Sequence, residues 1–142
     1  MEAKVTWKGR LSFDGSAETG FVVPLGAHPS VGGDNDGFRP MELIALGLAG
    51  CTGMDVVSIL HKKRQEISGF ETRIHAEQSG EHPKVFTRIT IDYLIEGYQI
   101  DPVAVQRAIE LSTTRYCPAQ AMLSKAVEIN TQYTIREPNR DS

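Results

Sequence analysis

The chain has 142 residues, 40% hydrophobic and 23% charged, and a formal net charge of −3. That length suits one domain, residues 1–142, with a single real core, and the charge balance carries no basic footprint for nucleic acid. The uncharged apolar run between Glu42 and Asp55 is well short of the roughly 20 residues that span a bilayer, so it reads as a buried helix, and neither nucleic acid nor membrane is an expected partner.

The start, Met1-Glu-Ala-Lys-Val-Thr-Trp7, lacks the layout of a secretory signal, which makes the cytoplasm the default location. From Ala3, Val5, Trp7, Leu11 and Phe13 alternate with Lys4, Thr6, Lys8, Arg10, Ser12 and Asp14, the period of a half-buried strand. Gly9 and Asp14-Gly15 punctuate the pattern, so two strands and a third through Ala17 to Pro24 are predicted. Leu25 to Arg39 is rich in Gly, Asp, Pro and Asn and predicts a long surface loop. Within it, Gly33-Asp-Asn-Asp-Gly37 lacks the spacing and closing glutamate of a calcium loop and reads as a plain turn.

Pro40 suits a helical first turn, and the helix it opens runs to about Arg64, where Lys62-Lys63-Arg64 complements a helix C-terminus. Ser68 to Gln78 and Lys84 to Glu96 then predict a hairpin, with Val85, Thr87, Ile89, Ile91, Tyr93 and Ile95 on its buried side. Asp101-Pro102 starts a second helix to about Thr114, with Val105, Ala108, Ile109 and Ser112 at helical spacing. Cys117-Pro118 starts a third, through Met122, Leu123 and Ala126. Val127 to Ile135 alternates as a closing strand, and Pro138 to Ser142 is a polar tail. Strands and helices fall into blocks, which predicts an α+β domain and argues against a doubly wound sheet.

Inside the longest helix, Gly47, Gly50 and Gly53 each cost about 0.8 to 1.0 kcal/mol relative to alanine. Close approach of another backbone, from this chain or a partner subunit, is the usual compensation. The chain's two cysteines are Cys51 and Cys117. Composition allows Cys51 to be an inert core residue. Cys117, as N-cap before Pro118 and close to Arg115, is on this reading the more acidic thiol, or else merely a cap. His28, His61, His75 and His82 show no metal-ligand spacing, and the glycines within the helix are no phosphate loop, so neither metal nor cofactor is expected.

Pro40-Met-Glu-Leu-Ile-Ala-Leu-Gly-Leu-Ala-Gly-Cys51, Tyr116-Cys-Pro118 and Trp7-Lys-Gly9 together resemble the OsmC/Ohr family of osmotically inducible and organic hydroperoxide resistance proteins. Asp55-Val-Val-Ser-Ile-Leu with Lys63-Arg64 is most similar to its YhfA-type branch. The resemblance implies an OsmC-like fold, antiparallel sheets wrapped around long central helices in an intertwined homodimer. It also implies a thiol-dependent peroxidase acting in oxidative-stress defence, in which Cys51 attacks an organic hydroperoxide, Cys117 resolves the sulfenic acid as a disulfide, and a dithiol reductant reopens it. The family's acid falls at Met41 here, with Glu42 one place later. Nine residues, or 2.5 turns, then separate Glu42 from Cys51 on opposite faces of a straight helix. Arg10 is the nearest counterpart of the family's arginine, and Arg39, Arg64 and Arg115 are the other cations to weigh. The competing expectations are a non-catalytic dimeric module that binds a hydrophobic small molecule in the same pocket, and a dimeric scaffold whose cysteines only pack.

Overall fold

The early alternation folds into three short strands, β1 (Ala3–Gly9), β2 (Ser12–Ala17) and β3 (Val22–Leu25), in an antiparallel meander ordered β1-β2-β3. The computed structural model describes residues 1–139, and the rest of the expected polar tail, residues 140–142, lies outside the described residues. The chain divides into two compact units, Met1–Ile44 and the portion from Ala45 onward.

In the first unit the register pairs Ala3 with Ala17, Val5 with Gly15, Trp7 with Phe13 and Gly15 with Val23, so the apolar residues gather on one face. The burial expected of that face is not met by the chain itself. Val5 and Trp7 stay 59% and 65% exposed, and a groove of about 510 Å³ opens over Val5, Gly15, Phe21 and Val23. The loop that follows holds a single 3-10 turn, Pro29–Val31. It is fastened back by side chains: Arg10 donates to Asp34 and to the Gly32 carbonyl, Ser12 donates to Asp36 at 2.7 Å, and Arg39 donates to the carbonyls of Gly26 and Gly37.

The long helix, α1 (Pro40–Lys62), belongs mostly to the second unit. There β4 (Ile67–Gln78) and β5 (Phe86–Gly97) form the antiparallel hairpin, followed by α2 (Pro102–Leu111), a π-helical turn (Ser112–Tyr116), α3 (Pro118–Leu123) and β6 (Glu128–Arg136). The family resemblance implied antiparallel sheets, but β6 runs parallel to β5. The physical reason is the connection: a crossover through two helices returns a strand in the direction it left, whereas a hairpin reverses it.

The buried face of β5 is Ile89, Ile91, Tyr93 and Ile95, as the alternation predicts. Val85 and Thr87 depart from it and are exposed, while Phe86 is buried, because the pairing slips between Glu77 and Gln78 and a one-residue slip inverts the faces. Asp101 caps α2 by accepting from the Val103 N–H at 2.9 Å, and Val105, Ala108, Ile109 and Ser112 all turn inward. The third helix stops at Leu123, so Ala126 lies outside it and is exposed.

Leu48, Thr52, Val56 and Leu60 recur every fourth residue and form the fully buried stripe of α1. An aliphatic side chain buried in that way contributes about 1.5 to 3 kcal/mol. Much of the rest of the helix is only partly covered by its own chain: the best 18-residue window has a mean hydropathy of 1.9 but is only 28% buried. Length and composition alone would allow such a helix to cross a membrane, yet its inner stripe is the core on which this unit is built.

Candidate functional site

Cys51 is half-buried on α1, directly before the buried Thr52. Cys117 is 3% exposed at the junction of the π-helical turn and α3. Its N–H donates to the Ser112 carbonyl at 2.9 Å, the wide spacing of a π turn, a device that recurs at functional sites. The fold brings the two distant thiols close enough for Cys51 to act on the Cys117 proton.

Cys117 does cap α3, its sulfur accepting from the Gln120 N–H at 3.4 Å. The expectation that capping makes it acidic is nevertheless overturned. Burial pushes the Cys117 thiol up to about 11, and only the Gln120 amide opposes that shift. Cys51 and the negative charge of Asp55 push in the same direction as burial. Stripping water from a thiolate outweighs one long amide contact at a helix of six residues.

Behind the thiols lies a row of hydroxyls that the sequence did not single out. Tyr93, Thr52 and Ser112 are all fully buried, with Thr52 Oγ1 2.6 Å from Tyr93 Oη and 2.8 Å from Ser112 Oγ. Ser112 donates to Asp55 Oδ2 at 2.9 Å. Its only proton is thereby committed, so Thr52 donates to Ser112 and Tyr93 in turn donates to Thr52. Burial pushes the Tyr93 phenol up to about 12, in keeping with its role as a donor. The signal available in the sequence was polar character at helical spacing: Ser112 in step with the apolar face of α2 just past its end, and Asp55 interrupting an apolar helix.

The other sequence candidates lie in the first unit or on the surface. Glu42 accepts from the Arg39 N–H at 2.8 Å, the reciprocal bond of a capping box. Arg10 is held by Asp34 at 3.1 Å and by the Gly32 carbonyl, while Arg39 is held by its own loop. Arg115 lies over the Tyr116 ring, 5.6 Å from its centroid, and Arg64 is exposed just beyond α1. On another face of the helix from Cys51, Gly50 and Gly53 open an apolar groove of about 600 Å³, with Leu46, Met54, Phe70 and Thr72 among its walls. Of the three helical glycines only Gly53 is tightly packed within the chain, its absent Cβ falling 2.8 Å from Thr72 Oγ1; at Gly47 and Gly50 a Cβ would meet nothing within 4 Å.

Two sheets with α1 define an α+β fold in which two free cysteines, one on α1 and one at the start of α3, lie near each other. Residues 33–132 match the family model described as OsmC-like protein, and the chain belongs to that family. Among relatives, it is 35% identical over 135 residues to Protein YhfA of Escherichia coli K12, covering 95% of this chain and 98% of that one. A hypothetical protein from Aquifex aeolicus VF5 has a similar structure, with 26% identity, 97% of each chain covered and a TM-score of 0.85. An organic hydroperoxide resistance protein OsmC from Legionella pneumophila shares the fold at 15% identity and a TM-score of 0.71, over 94% of this chain and 95% of that one.

Proposed function

We propose that the chain is a single-domain, thiol-dependent peroxidase that reduces organic hydroperoxides in the cytoplasm as part of oxidative-stress defence. The observation that carries the reading is that Cys51 and Cys117, residues on different elements with no local reason to meet, are close enough for one to act on the other's proton. The Cys51 thiolate attacks the O–O bond of ROOH, giving Cys51–SOH and, with one proton, ROH. The Cys117 thiol condenses with that sulfenic acid, forming the disulfide and releasing water. A dithiol reductant then returns both cysteines to thiols and is itself oxidised to a disulfide. The groove beside Gly50 and Gly53 takes the organic tail.

The working form is a homodimer. Support comes from the apolar surface that the chain leaves uncovered on α1 and on the face of β1. The contacts of Arg10 and Glu42 account for them as loop and helix-cap residues, and Arg10→Ala and Glu42→Ala test whether either also serves the reaction as cation or acid.

The test is intact mass after one equivalent of cumene hydroperoxide. Loss of two hydrogens in the wild type, replaced in Cys117→Ser by a sulfenic acid that dimedone traps at Cys51, is the expected result. An unchanged mass overturns the reading in favour of a non-catalytic module that binds a hydrophobic small molecule.

A further inference from the structure

Resolution of a sulfenic acid depends on how often the second sulfur sits against the first, and the two thiols ride on different elements. Cys51 is on α1, whereas Cys117 follows a π-helical turn and donates its N–H to the Ser112 carbonyl. Whatever holds Ser112 against α1 therefore helps to hold Cys117 near Cys51.

Two groups do so, and both belong to the same stretch of α1 as Cys51. Thr52, the next residue, reaches the Ser112 hydroxyl at 2.8 Å, and Asp55, one helical turn on, accepts that hydroxyl's proton at 2.9 Å. Ser112 is thus gripped by its side chain from α1 while its carbonyl grips the Cys117 amide. The carboxylate also fixes the direction of the row: because it only accepts, Ser112, Thr52 and Tyr93 must all donate towards it. The row ends at Tyr93 on β5, so the turn is anchored to the sheet as well as to the helix.

We infer that Asp55, acting through Ser112, is the positioning residue of the thiol pair, fixing the turn that carries Cys117 so that its sulfur stays within reach of Cys51. This rests on the dithiol reading above. A bond accepted by a carboxylate is about twice as strong as a neutral one, and the effective concentration of one thiol at the other falls as the turn is freed. Asp55 carries a second consequence through its charge. It is among the groups that hold the Cys117 proton in place, so removing the charge while keeping an acceptor separates geometry from electrostatics.

The experiment is an equilibrium that needs no peroxide. The purified full-length protein is brought to equilibrium in buffers of reduced and oxidised glutathione, with free thiols trapped by alkylation and counted by mass. Wild type, Asp55→Ala, Asp55→Asn and Ser112→Ala are compared, each shown by circular dichroism to be folded. The expected result is a Cys51–Cys117 disulfide about tenfold or more less favoured in Asp55→Ala and Ser112→Ala. The Asp55→Asn variant restores it to within about threefold, and its pH midpoint for Cys117 alkylation falls. If folded Asp55→Ala keeps the wild-type equilibrium, or the wild type forms no internal disulfide in glutathione, the positioning role is refuted. If the equilibrium shifts as expected while the wild type ignores cumene hydroperoxide, the peroxidase reading fails and the positioning role stands.

Discussion

Replacing Gly47 and Gly50 by alanine tests why an apolar helix carries glycines at all. Within one chain an added methyl at either site meets nothing within 4 Å. Helix propensity alone then makes each substitution stabilising by about 0.8 to 1.0 kcal/mol. The pair would raise the melting temperature by several degrees, at about 4 °C per kcal/mol for a domain of this size. A second copy packed against this face reverses the sign, because a methyl forced into a close backbone contact costs about 1 to 3 kcal/mol, and two-fold symmetry places each methyl in the interface twice. We expect the reversed sign. Sedimentation equilibrium on Gly47→Ala/Gly50→Ala should give a dimer dissociation constant raised at least about tenfold, and urea melts should lose stability more steeply on dilution than the wild type. Gly53→Ala serves as the control, since its methyl would lie 2.8 Å from Thr72 Oγ1 in the same chain and its cost should not depend on concentration. A double variant that melts higher and keeps the wild-type dissociation constant would refute the close-approach explanation and move any dimer contact off this face.

Thr52→Val keeps the shape but breaks the hydroxyl row, leaving Tyr93 and Ser112 short of partners; urea denaturation should show a loss of about 1 to 3 kcal/mol, part of which Tyr93→Phe restores in the double variant. Alkaline stability should fall in two stages. Cys117 and Tyr93 are acids whose folded pKa values, about 11 and about 12, lie above their ordinary 9.0 and 10.0. The unfolded chain ionises first, so stability is fully present below pH 9 and is lost as pH rises through 9 to 12; urea midpoints against pH measure this, and Cys117→Ser should flatten the lower part. Glu42→Ala removes the capping-box bond to Arg39, so it should cost about 1 kcal/mol in thermal melts and leave the glutathione equilibrium of the cysteines unchanged.

Much of the fold was legible because its signals are local. The Ile89, Ile91, Tyr93, Ile95 alternation, the Asp101-Pro102 start and the inward face of α2 each follow from a few neighbouring residues, and each is found where the pattern puts it. Misreadings arose where a distant contact decided the outcome. Phe86 is buried in place of Val85 because of a slip in pairing with β4, and β6 is parallel because of what its crossover contains. The apolar face of β1 was legible as a pattern, but its cover does not come from within its own unit. At the site, the cysteines and the capping position of Cys117 were readable. The row through Tyr93, Thr52, Ser112 and Asp55 was not, since it joins three elements across 41 to 60 positions of sequence.

The raised pKa of Cys117 bears directly on the proposed cycle. A helix start acidifies a thiol when its amides face a sulfur with few competing influences; here the sulfur is 3% exposed, receives one amide at 3.4 Å and has Asp55 for an electrostatic neighbour. Such a thiol is a poor first nucleophile, in keeping with the proposed attack on peroxide by half-buried Cys51. In the proposed second step this thiol gives up its proton as its sulfur attacks. Condensation with a sulfenic acid expels the hydroxyl as water, and the proton that water requires is the one Cys117 still holds. On the proposed cycle, the grip of Asp55 on Ser112 keeps the second sulfur near the first, while burial and the charge of Asp55 hold its proton until the sulfenic acid forms.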